Sequence, residues 1–163
     1  NSNIKACAIN PVLVLGPSLT EVLSMSNRLT IKKVFNLPFV PDMAISVVGV
    51  QDVADAHVRA MESSESNGKR FLLSEKTIKL IDLARILKEA GFSKVPTRVI
   101  PNFIFKFFAL FNPSLRSISK RLGTFEKLHT NNANKILKWY PKSADSEIVN
   151  SAKQLYDVGI LKK

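Results

Sequence analysis

A nearly continuous apolar run at residues 4–15 constrains the fold most, because only Lys5 and Asn10 interrupt it. Runs of this kind are typical of a strand that is buried on both faces of a parallel sheet. Gly16 and Pro17 follow directly, and proline has no N–H for a further ladder bond. The run therefore predicts a buried parallel strand that stops before Gly16.

Further strands and helices alternate along the chain. Short apolar runs at residues 44–50, 70–73 and 97–100 predict additional strands. Helical spacing predicts helices at about residues 50–61, 80–90, 103–111, 114–122, 131–137 and 145–158. This alternation indicates an α/β fold with few short strands and a mostly helical second half.

The helix that follows the first strand has two possible starts. Ser18 with Glu21 three residues later forms a capping-box pattern. Ser26, ahead of residues 28–35, is the second possible start. The pattern alone does not choose between them.

The helix after residue 49 has the clearest apolar spacing. The pattern predicts that one stripe is buried, formed by Val50, Val53, Ala54, His57, Val58 and Met61. On this stripe His57 is interpreted as a packed core histidine with one hydrogen bond. Cys7 lies in an apolar run and is interpreted as an inert buried thiol.

Charge and composition limit the class of protein. The chain has 163 residues with 45% hydrophobic content, which suits one domain with a core, and its net charge is +11. The basic residues are dispersed, so the sequence makes no strong case for nucleic acid. One cysteine cannot form an intrachain disulfide, and we find neither a signal peptide nor a transmembrane segment. We therefore expect a cytoplasmic protein.

Residues that usually carry catalysis are scarce. The sequence has no glycine-rich nucleotide-binding loop, no histidine pair at metal-ligand spacing and a single cysteine, so we predict no metal site. Asp52 stands at the start of a predicted helix, where an acidic side chain favours the helix dipole. We interpret it as structural and not catalytic.

Four segments together resemble the extended short-chain dehydrogenases/reductases of the NAD-dependent epimerase/dehydratase superfamily, dihydroflavonol-reductase-like branch. They are NPVLVLGP at residues 10–17, VQDVADAH at 50–57, GKRFLL at 68–73 and LKWYPK at 137–142. The resemblance covers essentially the whole chain. One departure is Lys138, which replaces the glycine usual before the tryptophan that is Trp139 here.

The resemblance implies a place in a Rossmann-type carbonyl reductase. Residues 1–163 would form a single C-terminal segment, made of the last core strand and the substrate-binding lobe, without the N-terminal dinucleotide-binding part. The implied cofactor is NADP or NAD, and the implied partners are a small-molecule carbonyl substrate and the missing N-terminal half. The oligomeric state stays open.

The resemblance also implies cofactor contacts. Pro11 would pack against the nicotinamide, while Val12 and Leu13 would line the groove through their backbones. Ser26 would contact the cofactor phosphates, which fits a hydroxyl at a helix N-terminus and favours the second helix start.

The catalytic tyrosine and the lysine four residues later, which this family needs, have no match. Tyr140 is followed at that spacing by Ala144, and Tyr156 by Ile160. The sequence therefore predicts no catalytic residue and an inactive isolated chain. The alternative is a non-catalytic binding module that uses its basic surface for nucleic acid or an anionic membrane surface, with residues 103–111 as an interfacial segment. The apolar residues there cover most of the helix, which favours burial between lobes.

Overall fold

The computed structural model describes residues 4–20 and 24–161 and confirms the predicted α/β class. The strands are β1 (Ala8–Pro11), β2 (Leu13–Leu15), β3 (Val40–Pro41), β4 (Ala44–Gly49), β5 (Arg70–Leu73), β6 (Lys76–Lys79) and β7 (Val99–Ile100). The helices are α1 (Met25–Asn36), α2 (Val50–Glu62), α3 (Leu80–Glu89), α4 (Asn102–Phe111), α5 (Pro113–Ser119), α6 (Asn131–Ile136) and α7 (Asp145–Asp157).

The strands form small separate ladders. β1 pairs with β5 in parallel, and β3 pairs with β7 in parallel. β4 lies between β2, which is parallel to it, and β6, which is antiparallel. The register pairs Leu15 with Gly49, so the carboxyl ends of β2 and β4 lie side by side.

The first apolar run is two strands, and the prediction of one strand buried on both faces was wrong. Pro11 cannot donate a ladder bond, and Val12 donates its N–H to the Leu73 carbonyl at 3.0 Å. From Leu13 onward the chain pairs with β4. The run therefore changes partner strand at residue 12, while Ile4 and Cys7 are exposed, which contradicts the buried thiol.

The core has two parts. The larger lies between the β2–β4–β6 ladder and helices α1, α3 and α7. The smaller lies between β5, α2 and α6, and its largest fully buried side chain is Trp139. The Trp139 Nε1–H donates to the Asp52 carbonyl at 2.8 Å, which satisfies the buried indole. This bond ties the start of α2 to the segment after α6.

The predicted stripe of α2 is covered only at its start. Val50 and Val53 are half-buried, and Val53 packs against the smaller core, whereas Val58 and Met61 are exposed. The buried residues of this helix are Ala56 and Ala60. His57 is also exposed, so the core interpretation was wrong, although its Nδ1 lies 2.8 Å from the Val53 carbonyl oxygen.

Helix α4 is also less buried than predicted. Only Phe105 and Ala109 are buried, so the expected burial between lobes is wrong for the described part of the chain. One side of α4 packs against the protein and the remaining apolar side chains face outward. Among the described residues, no helix combines the length and the apolarity that crossing a membrane requires.

Candidate functional site

A cleft of about 930 Å³ opens beside the β2–β4–β6 ladder. Its walls come from the start of β2, the side of α1, strands β4 and β6, and the segment from α5 to residue 128. This volume lies within the range of ligand pockets in proteins. The cleft is the candidate functional site.

Polar and charged residues are numerous in the cleft, and hydrogen bonds fix one pair of hydroxyls there. Thr77 donates its Oγ1–H to the Glu126 carbonyl at 2.7 Å, so the Ser46 hydroxyl donates to Thr77 Oγ1 at 2.9 Å. The lone pairs of Ser46 stay free to accept a bond. Lys33 and Arg121 also line the cleft. The described lining contains no tyrosine, histidine or cysteine, and Lys33, Lys120 and Glu126 are its residues of types that transfer protons in catalysis.

The neighbouring ends of β2 and β4 form a corner that has no room for side chains. A Cβ on Gly16, whose φ is +142°, would lie 2.4 Å from Val50 Cγ1. A Cβ on Gly49 would lie 3.1 Å from a carboxylate oxygen of Asp52. The turn predicted at Gly16 is therefore confirmed, and it requires glycine for both its backbone angle and its close packing.

Side chains from α1 and α7 hold this corner. Asn27, which is fully buried, donates its Nδ2–H to the Gly16 carbonyl at 2.6 Å. The Gly16 N–H donates to Ser151 Oγ at 2.8 Å. The Ser18 N–H donates to Gln154 Oε1, and the Gln154 Nε2–H donates to the Ser18 carbonyl, at 2.8 Å each. Sequence reasoning missed Asn27 and Ser151, because neither belongs to a local motif.

Carboxylates gather next to the corner. Burial raises the pKa of Glu147, and the charge of Asp52 raises it further. Burial also raises the pKa of Glu75, against the opposing charge of Lys76. Lys76 itself forms an ion pair with Asp145 at 2.5 Å. None of these carboxylates lines the cleft, so their arrangement is structural and not a general acid for a molecule bound there.

The predicted cofactor contacts fall into two groups. Val12 and Leu13 line the cleft. Pro11 is exposed at the end of β1 and Ser26 is half-buried in the first turn of α1, and neither lines the cleft. All four cofactor roles stay predictions.

The structure begins α1 at Met25, near the second of the two predicted starts. Ser24 and not Ser26 holds the N-cap position. Glu21, the other half of the capping-box pattern, lies outside the described residues. Ser18 nevertheless stabilises the segment before α1, because its Oγ accepts the Ser24 N–H at 3.0 Å.

Known proteins give two kinds of similarity, although no family model matches the chain. A cinnamoyl-CoA reductase of Medicago truncatula is 33% identical over 88 residues, which are 54% of this chain and 27% of the relative. A putative NADPH-dependent methylglyoxal reductase of Candida albicans is 33% identical over 93 residues, 51% of this chain and 27% of the relative. The chain thus spans about a quarter of the length of these curated relatives.

Solved structures share the fold. Yeast methylglyoxal/isovaleraldehyde reductase in complex with NADPH superposes with a TM-score of 0.69 at 22% identity, over 96% of this chain and 45% of that one. UDP-glucose 4-epimerase of Thermotoga maritima gives a TM-score of 0.65 at 19% identity, over 95% and 47%. The chain therefore shares the fold of these enzymes over part of their length. Its strands and helices match part of the Rossmann-type reductase fold.

Lys138 has a backbone conformation that is more usual for glycine. Its φ of +51° lies in the left-handed region, where the resemblance places a glycine. Arg59 of α2 donates to the Lys138 carbonyl at 3.1 Å and helps to hold this conformation. Asp52 accepts the Lys142 N–H at 3.2 Å and the Trp139 indole, which agrees with a structural role. Lys138 thus keeps the backbone geometry of a glycine position without the glycine.

Proposed function

We propose that the chain forms the substrate-side wall and the cofactor edge of an NADPH-dependent carbonyl reductase of dihydroflavonol-reductase-like type. One observation carries the proposal. Val12 and Leu13, which the resemblance assigns to the cofactor groove, line the same cleft as the Ser46–Thr77 hydroxyl pair. A nicotinamide held at the strand end and a carbonyl substrate near these hydroxyls would then share one space.

The proposed cofactor is NADP or NAD, and the names of the relatives, which include NADPH, favour NADP. When bound, the cofactor would supply the hydride. Pro11 would offer its flat ring at the strand end, and Ser26 would donate its hydroxyl in the first turn of α1. Backbone N–H groups of a first helical turn fit a phosphate, so the groups present at α1 suit this cofactor.

We further propose that the chain does not transfer hydride by itself. A tyrosine with a lysine four residues later is absent from the sequence, and so is a glycine-rich dinucleotide loop. Residues 1–163 would then act as one segment that joins a dinucleotide-binding part. The carbonyl substrate would lie between the two.

Two assays test the proposal. The purified chain, mixed with NADPH and methylglyoxal or an aromatic aldehyde, should not consume NADPH, and measurable turnover would contradict the claim of inactivity. A chimera of yeast methylglyoxal/isovaleraldehyde reductase, with its matching part replaced by this chain, should consume NADPH with a carbonyl substrate.

A matched pair of variants locates the substrate in that chimera. Ser46→Phe fills the cleft and should lower kcat/KM at least about tenfold, because sterically mismatched pockets lose this much or more. Ser93→Phe places the same ring at an exposed position outside the cleft and should leave kcat/KM unchanged. If both variants are folded by circular dichroism and equally active, the substrate does not bind in the cleft.

A further inference from the structure

Helix α4 presents a cluster of exposed apolar side chains, which we name the α4 aromatic face. Its members are between 53% and 76% exposed and comprise Phe103, Phe107, Phe108, Leu110 and Phe111. Phe107 contacts Phe108 and Phe111 edge to face, with centroids 5.9 and 5.5 Å apart. Contiguous apolar patches of this kind mark a binding surface for a protein or a membrane.

The segment that carries the face is basic. Residues 90–125, which lie between Glu89 and Glu126, contain six basic and no acidic residues, which is +6 of the net +11 of the chain. The basic residues there are Lys94, Arg98, Lys106, Arg116, Lys120 and Arg121. Lys106 lies on α4 itself and is exposed. Arg116 donates to the Leu110 carbonyl at 2.8 Å, so its guanidinium lies at the end of the face.

The length of α4 limits how it can meet a bilayer. A helix of 10 residues is about 15 Å long, half of the roughly 30 Å that a spanning segment must cross. Phe105 and Ala109 hold its other side against the protein. The helix can therefore lie along a membrane surface, with its outward rings entering the boundary between headgroups and acyl chains.

We propose that the α4 aromatic face docks the protein on an anionic membrane surface. The phenylalanine rings would leave water, while Lys106 and Arg116 would bind lipid phosphates. A second copy of the chain fits the face less well, since it would bring an equally basic region against this one. This inference goes beyond the proposed reductase function and does not depend on it.

Vesicle sedimentation tests the proposal with the whole chain. Vesicles of equimolar phosphatidylcholine and phosphatidylserine should bind the chain, vesicles of phosphatidylcholine alone should bind it much less, and added salt should weaken binding. Phe107→Ser with Phe111→Ser should lower the affinity at least about tenfold, because two rings stay in water. Lys106→Glu should lower it several-fold.

A matched control separates this face from exposed apolar residues in general. Val58→Ser with Met61→Ser removes two exposed apolar side chains from α2 and should leave vesicle binding unchanged. Absence of binding, equal binding to both kinds of vesicle, or equal loss in the two double variants would overturn the proposal. Self-association in lipid-free buffer that Phe107→Ser with Phe111→Ser abolishes, or retention by DNA without vesicle binding, would also overturn it.

Discussion

Helices α2 and α3 both have regular apolar spacing and bury different kinds of face. α3 buries its large residues, among them Leu83 and Leu87, against the β2–β4–β6 ladder and α7. α2 buries Ala56 and Ala60, leaves Val50 and Val53 half-buried and exposes Val58 and Met61. Periodicity therefore identifies a helix, while its packing against the neighbouring elements decides which side chains are covered.

The strongest test truncates a large buried residue of α3. Leu83→Ala should lower the free energy of unfolding by about 2–5 kcal/mol, because it leaves a cavity at a fully buried site. Urea denaturation followed by circular dichroism measures the loss. Leu110→Ala, at an exposed leucine, is the matched control and should change stability little. A loss below about 1 kcal/mol for Leu83→Ala would show that α3 is loosely packed.

The next test enlarges a buried alanine of α2. Ala60→Leu should lower the free energy of unfolding by about 1–3 kcal/mol, since added methylenes force α2 away from its neighbours. Ala54→Leu, at an exposed alanine of the same helix, should stay within about 0.5 kcal/mol of the parent. If both variants unfold at the same urea concentration, α2 does not pack as closely as the structure shows.

Each of the two helices has one aspartate in its first turn, and the two aspartates have different neighbours. Asp82 of α3 is 2.9 Å from Arg85, whereas Asp52 of α2 adds to the burial that raises the pKa of Glu147. A raised carboxyl pKa means that the folded state binds the proton more tightly than the unfolded state. This contribution to stability is complete below the ordinary value of 4.5 and is lost as the pH rises through the higher folded value.

Glu147→Gln tests this difference. The variant should show a shallower fall of unfolding free energy as the pH rises from below 4.5, and it should be more stable than the parent at neutral pH. Glu75, whose pKa is also raised, keeps part of the slope in the variant. Urea denaturation over a pH series gives the comparison, and parallel pH profiles would show that Glu147 titrates as it does in the unfolded chain.

The smallest effect belongs to the exposed stripe of α2. Met61→Ser should change the free energy of unfolding by no more than about 0.5 kcal/mol, because the side chain is 84% exposed. A larger loss, measured by the same urea method, would indicate that the stripe is covered in solution. It would then resemble the buried stripe of α3.

Local patterns were sufficient for much of the fold. The strand at β4, the helix at α3 and the buried Ile148 and Leu155 of α7 follow directly from apolar spacing. The antiparallel strand β6 was missed, because the sequence KTIK has only one buried residue and its partner is distant in sequence. The break at Val12 was missed because an apolar run does not reveal a change of neighbouring strand.

The candidate site was less accessible from sequence. Val12 and Leu13 could be named because the segment NPVLVLGP resembles a strand end of the extended reductases. The Ser46–Thr77 pair depends on the register of two strands, and Asn27 depends on how α1 lies across the corner. Such tertiary contacts join residues whose local sequences give no hint of each other.

The hydrogen bond from Gly16 to Ser151 joins residues 135 positions apart. Contacts between such distant positions slow folding, since a long loop must close before they form. During synthesis the end of β2 must wait without this partner until residue 151 has left the ribosome. The end of the first strands therefore gains this contact late, after most of the chain has been synthesised.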